Sequence, residues 1–221
     1  MAVNGRPTRH LKRLFVSVIA GGSIVAALLI LIIYRDRLAT IREEQGRELT
    51  TIADVKATEI ASWRRDRISD ARVMSTNAEL GRFVRSAFES PGASPDPQLP
   101  GWVEQMRSQH DYSAVRIFDA IGTLRLASSP ATPSLARDAS SFAAQAIQQR
   151  TVIFEDFHSS DGEPIHLAVF APLFDGETEP VGAIEFQIDP TRFLYPHLQT
   201  WPKTSLSGET LLVRREGDEM V

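Results

Sequence analysis

Several segments of this sequence are mainly apolar and show the two-residue period of β-strands. The charged and titratable side chains within them are the ones most suited to binding or catalysis. A polar group on the buried face of a strand must be paired or must bind something, because burial without a partner costs free energy. Together with the aromatic residues expected beside them, the candidate ligand-binding residues are Tyr112, Arg116, Phe118, Asp156, His166 and Glu185.

Arg116 leads to a hypothesis about the ligand. Alternation places this arginine on one strand face with Tyr112 and Phe118. An arginine beside aromatic rings suits a carboxylate, because its guanidinium can donate two parallel hydrogen bonds. Arg116 therefore predicts a ligand that carries a carboxylate. Together with the carboxylate of Asp156, described next, it leads us to expect a small organic acid, an amino acid or an amine.

Asp156 is expected across the pocket from Arg116, where it would hold an ammonium group. Alternation places Asp156 on one face with Phe154 and His158. The alternative is a structural role, in which Arg116 pairs with Asp156 or Glu185, or faces water. The pattern alone leaves both possibilities open.

Other site chemistries find less support in the sequence. The crowded polar residues of one segment match no recognised pattern of metal ligands, so we expect no metal; they are Asp156, His158, Asp161, Glu163 and His166. No nucleophile elbow, P-loop or dinucleotide fingerprint is present, so we expect neither an enzyme nor a cofactor site. The absence of cysteine excludes disulfides, and the net charge of -4 argues against a nucleic-acid partner.

The uncharged stretch from Leu14 to Tyr34 is expected to anchor the chain in a membrane. As a helix rising about 1.5 Å per residue it would be about 30 Å long, which matches the hydrocarbon core of a bilayer. Basic residues without an acidic one precede it at residues 6–13, which predicts a cytoplasmic N-terminal tail at 1–13. The simplest topology is one span of the bacterial inner membrane, with residues 35–221 outside the cytoplasm.

The remaining segments predict an α+β fold. Apolar residues recur with a helical period over residues 35–76, which indicates a long amphipathic helix. A helix opened by a capping box of Thr76 and Glu79 follows, then a loop from Pro91 to Pro100 and a third helix from Gly101 to His110. A hairpin turning at Gly122, a helix and three further strands complete a five-stranded antiparallel sheet.

The pattern starts again after Asp189. A short helix is expected with Phe193, Leu194 and Leu198 buried and with a break or kink at Pro196, followed by a strand, a turn and the start of another strand. Residues 190–221 are thus expected to be the opening of a second unit.

Three of these segments, WRRDRISDARVMS, VGAIEFQIDP and TRFLYPHLQTWPKTSLSGETLLVRREGDE, carry a family resemblance. They resemble the extracytoplasmic double Cache domain, a PAS-like sensor domain of bacterial membrane signalling proteins such as sensor histidine kinases and diguanylate cyclases. The resemblance covers residues 35–221. It implies a spine helix at 35–76, a membrane-distal unit at 77–189 and an incomplete membrane-proximal unit at 190–221.

The resemblance also implies a function. A small molecule would bind the distal unit of a parallel homodimer and act on a cytoplasmic effector, so the chain is expected to be part of a longer protein. Family members that bind amino acids carry an arginine, tryptophan and tyrosine run where this sequence has TLRLASS, so amino acids are not specifically indicated. A membrane-tethered adaptor or a periplasmic hydrolase are the alternative functions.

Overall fold

The computed structural model describes residues 8–88, 98–128, 133–159, 164–201, 210–213, 215–216 and 218–220. Most of the expected tail at 1–13 and most of the expected loop at 91–100 lie outside these residues, as do Asp161 and Glu163. The chain divides into two compact units, Met1–Val55 and Lys56–Val221.

Helices and strands follow one another along the chain in the order that the sequence predicts. The helices are α1 (Thr8–Ser75), α2 (Ala78–Phe88), α3 (Gln98–Gln109), α4 (Pro133–Gln149) and α5 (Leu194–Gln199). The strands are β1 (Ala114–Asp119), β2 (Leu124–Ala127), β3 (Ile153–His158), β4 (His166–Leu173), β5 (Gly182–Ile188), β6 (Arg215–Glu216) and β7 (Glu219–Met220).

The first unit consists of the part of α1 up to Val55. Every side chain from Leu14 to Tyr34 is exposed, including Leu14 at 67% and Ile30 at 68%. Among the described residues, α1 is the one helix long and apolar enough to cross a membrane. So long an apolar surface is unfavourable in water and favourable in lipid.

The second unit is built on an antiparallel sheet in the order β2-β1-β5-β4-β3. Strands β4 and β5 are buried along their whole length because helices cover both faces of the sheet. A smaller hairpin pairs β6 with β7. These elements confirm the predicted α+β fold with a five-stranded antiparallel sheet.

The two faces of the sheet carry two apolar cores. The larger core lies on what we call the α1 face, where residues such as Val115, Leu167 and Ile184 pack with residues of α1, α2, α3 and α5. The smaller core lies on the α4 face, where Phe118 and Phe170 pack against an alanine stripe of α4 formed by Ala139, Ala143 and Ala146. Small side chains let α4 approach this face of the sheet closely.

The β1–β2 hairpin turns where the sequence predicts. Gly122 has a φ of +84°, a conformation that costs a residue without a Cβ little. The Asp119 carboxylate accepts hydrogen bonds from the backbone N–H groups of Ile121 and Thr123. A Cβ on Gly122 would lie 2.9 Å from the Cβ of Ala144, so the glycine also lets α4 pack on the hairpin.

Two local expectations after Asp189 are wrong. Phe193 is 45% exposed because it precedes α5 and does not lie on the buried face of that helix. Its ring stacks between Trp63 and His197 at centroid distances of 5.6 and 5.7 Å. Pro196 does not break the helix, because it lies in the first turn, where no N–H donor is needed. Leu194 and Leu198 are buried, as expected.

The predicted capping box at the start of α2 is also wrong. The side chain of Asn77, not Thr76, accepts hydrogen bonds from the backbone N–H groups of Glu79 and Leu80, at 3.1 and 3.2 Å. The Thr76 hydroxyl instead donates to the Arg72 carbonyl at the end of α1. The helix boundary lies one residue later than the pattern suggested.

Replacing Asn77 by alanine is expected to lower the free energy of unfolding by about 1 kcal/mol, the usual loss for an N-cap side chain. Urea denaturation of the full chain in detergent micelles measures it. Thr76→Ala is the matched control and should change stability by less than about 0.5 kcal/mol. A larger loss for Thr76→Ala than for Asn77→Ala would contradict the cap assignment.

Candidate functional site

A buried ion pair lies at the centre of the α4 face. Arg116 of β1 and Glu185 of β5 are direct cross-strand neighbours, and each is 1% exposed. Arg116 Nη1 donates to Glu185 Oε1 at 2.6 Å, and Arg116 Nη2 donates to the side-chain oxygen of Gln187 at 3.0 Å. The structural pairing left open by the sequence is therefore present, with Glu185 as the partner.

The surroundings of the pair exclude water. In the same row of the sheet, Glu185 is opposite Phe170 of β4, and Phe170 stacks on Phe142 of α4 at a centroid distance of 5.6 Å. Burial raises the pKa of Glu185, while the charge and hydrogen bond of Arg116 oppose that rise. The pair is held in an apolar layer, where an unpaired charge is costly.

Glu155 of β3 extends the polar cluster into the next row of the sheet. It is opposite Ala168, which is in turn opposite Gln187, so these residues share the α4 face. Glu155 is 6% exposed. Burial raises its pKa to about 7; the carboxylates of Glu185 and Asp138 act in the same direction, and the Arg116 guanidinium lowers the pKa.

Two histidines continue the cluster toward the end of β3. His158 Nδ1 lies 3.4 Å from Glu155 Oε1, and His158 Nε2 lies 3.3 Å from Asp138 Oδ2 of α4. The ring of His166 stands edge-on to that of His158 at 5.6 Å, and His166 Nδ1 lies 3.2 Å from the Pro164 carbonyl oxygen. Titratable groups thus extend from the buried pair to a half-exposed histidine.

Three buried atoms of the cluster make no hydrogen bond among the described residues: Arg116 Nε, Glu155 Oε1 and Glu185 Oε2. Glu155 Oε1 keeps the ion-pair contact of 3.4 Å with His158 Nδ1. Buried polar atoms are nearly always satisfied by protein, water or ligand. Here each atom belongs to a side chain that is at least nine-tenths buried. The arrangement offers one donor and two acceptors to a polar molecule bound on this face.

The sheet brings together four of the six predicted site residues. Arg116 and Glu185 are in contact, and Phe118 and His166 lie on the same face. The other two lie elsewhere: Tyr112 belongs to the core of the α1 face, 4.9 Å from the Phe186 ring, and Asp156 is exposed.

The alternation argument fails for these two residues for different reasons. Tyr112 precedes β1, which begins at Ala114, so the two-residue period does not apply to it. In β3, the pairing register shifts between Glu155 and His158, which separates His158 from Asp156 and places it opposite His166. Burial raises the pKa of Tyr112, as expected for a phenol in an apolar core.

Sequence reasoning missed Glu155 and Gln187 as members of the cluster. Gln187 lies two residues beyond Glu185 in the same buried strand, so alternation from Glu185 would have identified it. Glu155 had a weaker signal, because β3 has acidic residues at two successive positions and only the strand pairing decides which one faces α4.

A cavity of about 380 Å³ lies on the α1 face and has a different character. Its walls are mainly apolar, and they include Trp63, Phe154 and Leu167. Asp156 reaches it, and the Arg64 guanidinium lies 4.5 Å from the centre of the Phe154 ring. Among the described residues, no group of acidic and histidine side chains is arranged to hold a metal ion.

Comparison with known proteins identifies the fold. No model of a protein family matches the sequence, and no curated protein matches it either. Solved structures do match. The chain is similar to the sensory domain of the Campylobacter jejuni chemoreceptor Tlp3, with 12% identity and a TM-score of 0.53, over 67% of this chain and 62% of that chain.

Two further structures agree with this match. The sensor domain of the V. cholerae histidine kinase DctB has 14% identity and a TM-score of 0.54, over 70% of this chain and 59% of that chain. The ligand-binding domain of the Pseudomonas fluorescens chemoreceptor CtaA, in complex with L-serine, has 15% identity and a TM-score of 0.50, over 71% and 64%. The chain thus spans about three fifths of the length of these domains. Its fold is that of a Cache-type sensor domain, as the resemblance implied.

Proposed function

We propose that this chain is the ligand-sensing part of a membrane-anchored bacterial signalling protein, and that its α4 face binds a small molecule. The observation that carries the proposal is the set of three buried polar atoms on Arg116, Glu155 and Glu185 that make no hydrogen bond among the described residues. Such atoms call for a polar partner, and a bound ligand can supply it.

The structural neighbours support a binding role. They are sensory domains and not catalytic ones, and two of them were solved with small molecules: Tlp3 with isoleucine and CtaA with L-serine. This chain lacks the family's amino-acid run after the first strand, so we propose a small organic acid or amine as its ligand and not an amino acid specifically.

The proposed layout follows the elements. Residues 1–13 form a cytoplasmic tail and 14–34 the inner-membrane span, which the exposed apolar part of α1 supports. Residues 35–76 form the signalling helix, 77–189 the membrane-distal unit and 190–221 the start of the proximal unit. The protein acts as a parallel homodimer that controls a cytoplasmic effector such as a histidine kinase or diguanylate cyclase. Ligand would shift the dimer between two states in proportion to its difference in affinity for them.

A thermal-shift screen of the full chain in detergent micelles tests ligand binding. Small amines, organic acids, amino acids and sugars form the panel. A ligand at about 100 times its Kd adds about 2.7 kcal/mol to the free energy of unfolding, so we expect a rise in Tm of about 5 to 10 °C.

Two variants locate the site. Gln187→Ala and Arg116→Ala, on the α4 face, should weaken or abolish the shift, with Gln187→Ala as the milder change that keeps the ion pair. Asp156→Asn, on the α1 face, is the control and should leave the shift unchanged. Loss of the shift in Asp156→Asn alone would move the site to the α1-face cavity, and a panel without any hit would refute ligand sensing by this chain.

A further inference from the structure

The buried atoms of the polar cluster that make no hydrogen bond among the described residues indicate which kind of ligand it accepts. Glu155 Oε1 and Glu185 Oε2 are hydrogen-bond acceptors when ionised, and Arg116 Nε is a donor. A carboxylate ligand only accepts hydrogen bonds and would give a hydrogen bond to neither oxygen. The excess of acceptors favours a ligand that brings several N–H groups.

Arg116 is already committed to other partners. Its Nη1 donates to Glu185 and its Nη2 to Gln187. To form a bidentate pair of hydrogen bonds with an incoming carboxylate, the guanidinium would have to give up one of these buried partners. That partner would then be unsatisfied, which costs free energy. The geometry therefore argues against the carboxylate ligand that the sequence predicted from Arg116.

The protonation state of Glu155 sets the net charge of the cluster that it forms with Arg116 and Glu185. Arg116 and Glu185 neutralise each other, so the three groups together are neutral when Glu155 is protonated and carry one negative charge when it is ionised. That charge would lie on a side chain that is 6% exposed, where it needs a compensating cation. Burial already favours the protonated carboxyl group and raises the pKa of Glu155 to about 7.

We propose that the cluster binds a primary ammonium compound, whose positive charge replaces the proton on Glu155. The inference rests on the proposed function and specifies the ligand and the regulation of the same site. One positive charge enters with the ligand, and the Glu155 carboxyl group releases one proton to solvent, so the net charge of the cluster stays the same. The ammonium group then donates hydrogen bonds to Glu155 and Glu185.

Other titratable groups face Glu155, and their contributions to the pH dependence must be distinguished from that of Glu155. Among the described residues they are His158 of the same strand, Asp138 of α4 and His166 of β4, besides Arg116 and Glu185. A protonated His158 would also compensate an ionised Glu155 and would compete with the cation. A histidine variant is therefore a necessary control.

Isothermal titration calorimetry on the full chain in detergent micelles tests the exchange. The probes are ethylammonium, propylammonium and ethanolammonium chloride, with sodium propionate and 1-propanol as anionic and neutral counterparts. Titrations from pH 5.5 to 8, each in two buffers of different ionisation enthalpy, give both the affinity and the number of protons released.

The expected result is specific to Glu155. An ammonium probe should bind about tenfold more tightly per pH unit below about pH 6.5 and level off above about pH 7.5, with about one proton released at pH 6. Glu155→Gln should bind at least about tenfold more weakly at pH 8 and release no proton. His158→Asn should keep the release, and Asp156→Asn should behave like the wild type.

Several results would overturn the inference. Binding of an ammonium probe at pH 6 without proton release by the wild-type chain is one, and release at pH 6 that persists in Glu155→Gln is another. Preferential binding of propionate, or a ligand without an ammonium group from the wider screen, also overturns it while the proposed function stands. If the wider screen finds no ligand at all, both fail.

Discussion

Replacing Arg116 by methionine is expected to lower the free energy of unfolding by about 3 to 5 kcal/mol, the loss typical of breaking a buried ion pair from one side. The variant leaves Glu185, which is 1% exposed, without the guanidinium that lies 2.6 Å away in the wild type. An uncompensated buried carboxylate is unfavourable, so Glu185 should take up a proton in the variant. Urea denaturation of the full chain at pH 7 measures the loss.

Two further variants make this prediction specific to the pair. Arg192→Met removes an exposed arginine, 3.6 Å from an Asp111 oxygen, and should cost about 0 to 1 kcal/mol. The double variant Arg116→Met, Glu185→Leu removes both buried charges and should recover most of the loss, because apolar side chains can replace a buried pair with little cost. A single variant as stable as the wild type would mean that Glu185 is not confined in an apolar layer.

Glu155→Gln is expected to make the protein more stable at high pH and to leave it unchanged at low pH. The folded-state pKa of Glu155 is about 7, above the value of 4.5 expected without burial. Between these values the folded state binds more protons than the unfolded state, so wild-type stability should fall as pH rises. The shift corresponds to at most about 3 kcal/mol, lost by about pH 8.

The variant carries no titratable group at this position, so its stability should lack this decline. Urea denaturation of both proteins at half-unit steps from pH 4.5 to 8.5 gives the difference directly. Glu177→Gln, in an exposed turn, is the matched control and should keep the wild-type slope. Parallel curves for the wild type and Glu155→Gln would show that Glu155 ionises normally in the folded protein.

These two predictions concern the same cluster that we propose as the ligand site. A cluster that served stability alone would gain from replacing Glu155 by an uncharged residue, because the ionised carboxylate opposes folding at neutral and higher pH. A ligand cation that pairs with Glu155 would offset that cost. The pH dependence of stability should therefore weaken when the ligand is bound.

Much of the fold was predictable because it depends on local patterns. The apolar run from Leu14 to Tyr34, the helical period that follows it and the alternation in β1, β4 and β5 each predict an element from its own residues. The hairpin at Gly122 follows from turn chemistry in the same way. These predictions needed no knowledge of what each segment packs against.

The local predictions that failed depended on a neighbouring element. Asn77 caps α2, whereas the adjacent Thr76 donates its hydroxyl hydrogen bond back to the Arg72 carbonyl in the last turn of α1. Phe193 precedes α5 and remains 45% exposed, and its ring stacks on Trp63 of α1 and on His197 instead of entering the core. In each case the outcome depends on a contact with another helix, α1.

The sequence by itself determined that polar side chains lie in buried strands and that each of them needs a partner. Only the tertiary structure decided which partner each one has. Arg116 and Glu185 are 69 residues apart and meet because β1 and β5 pair in one particular register, and the pairing of β3 with β4 places Glu155, not Asp156, on the α4 face. Alternation defines the faces of a single strand, whereas strand order and register are collective properties of the sheet, so the site emerges only when the sheet is assembled.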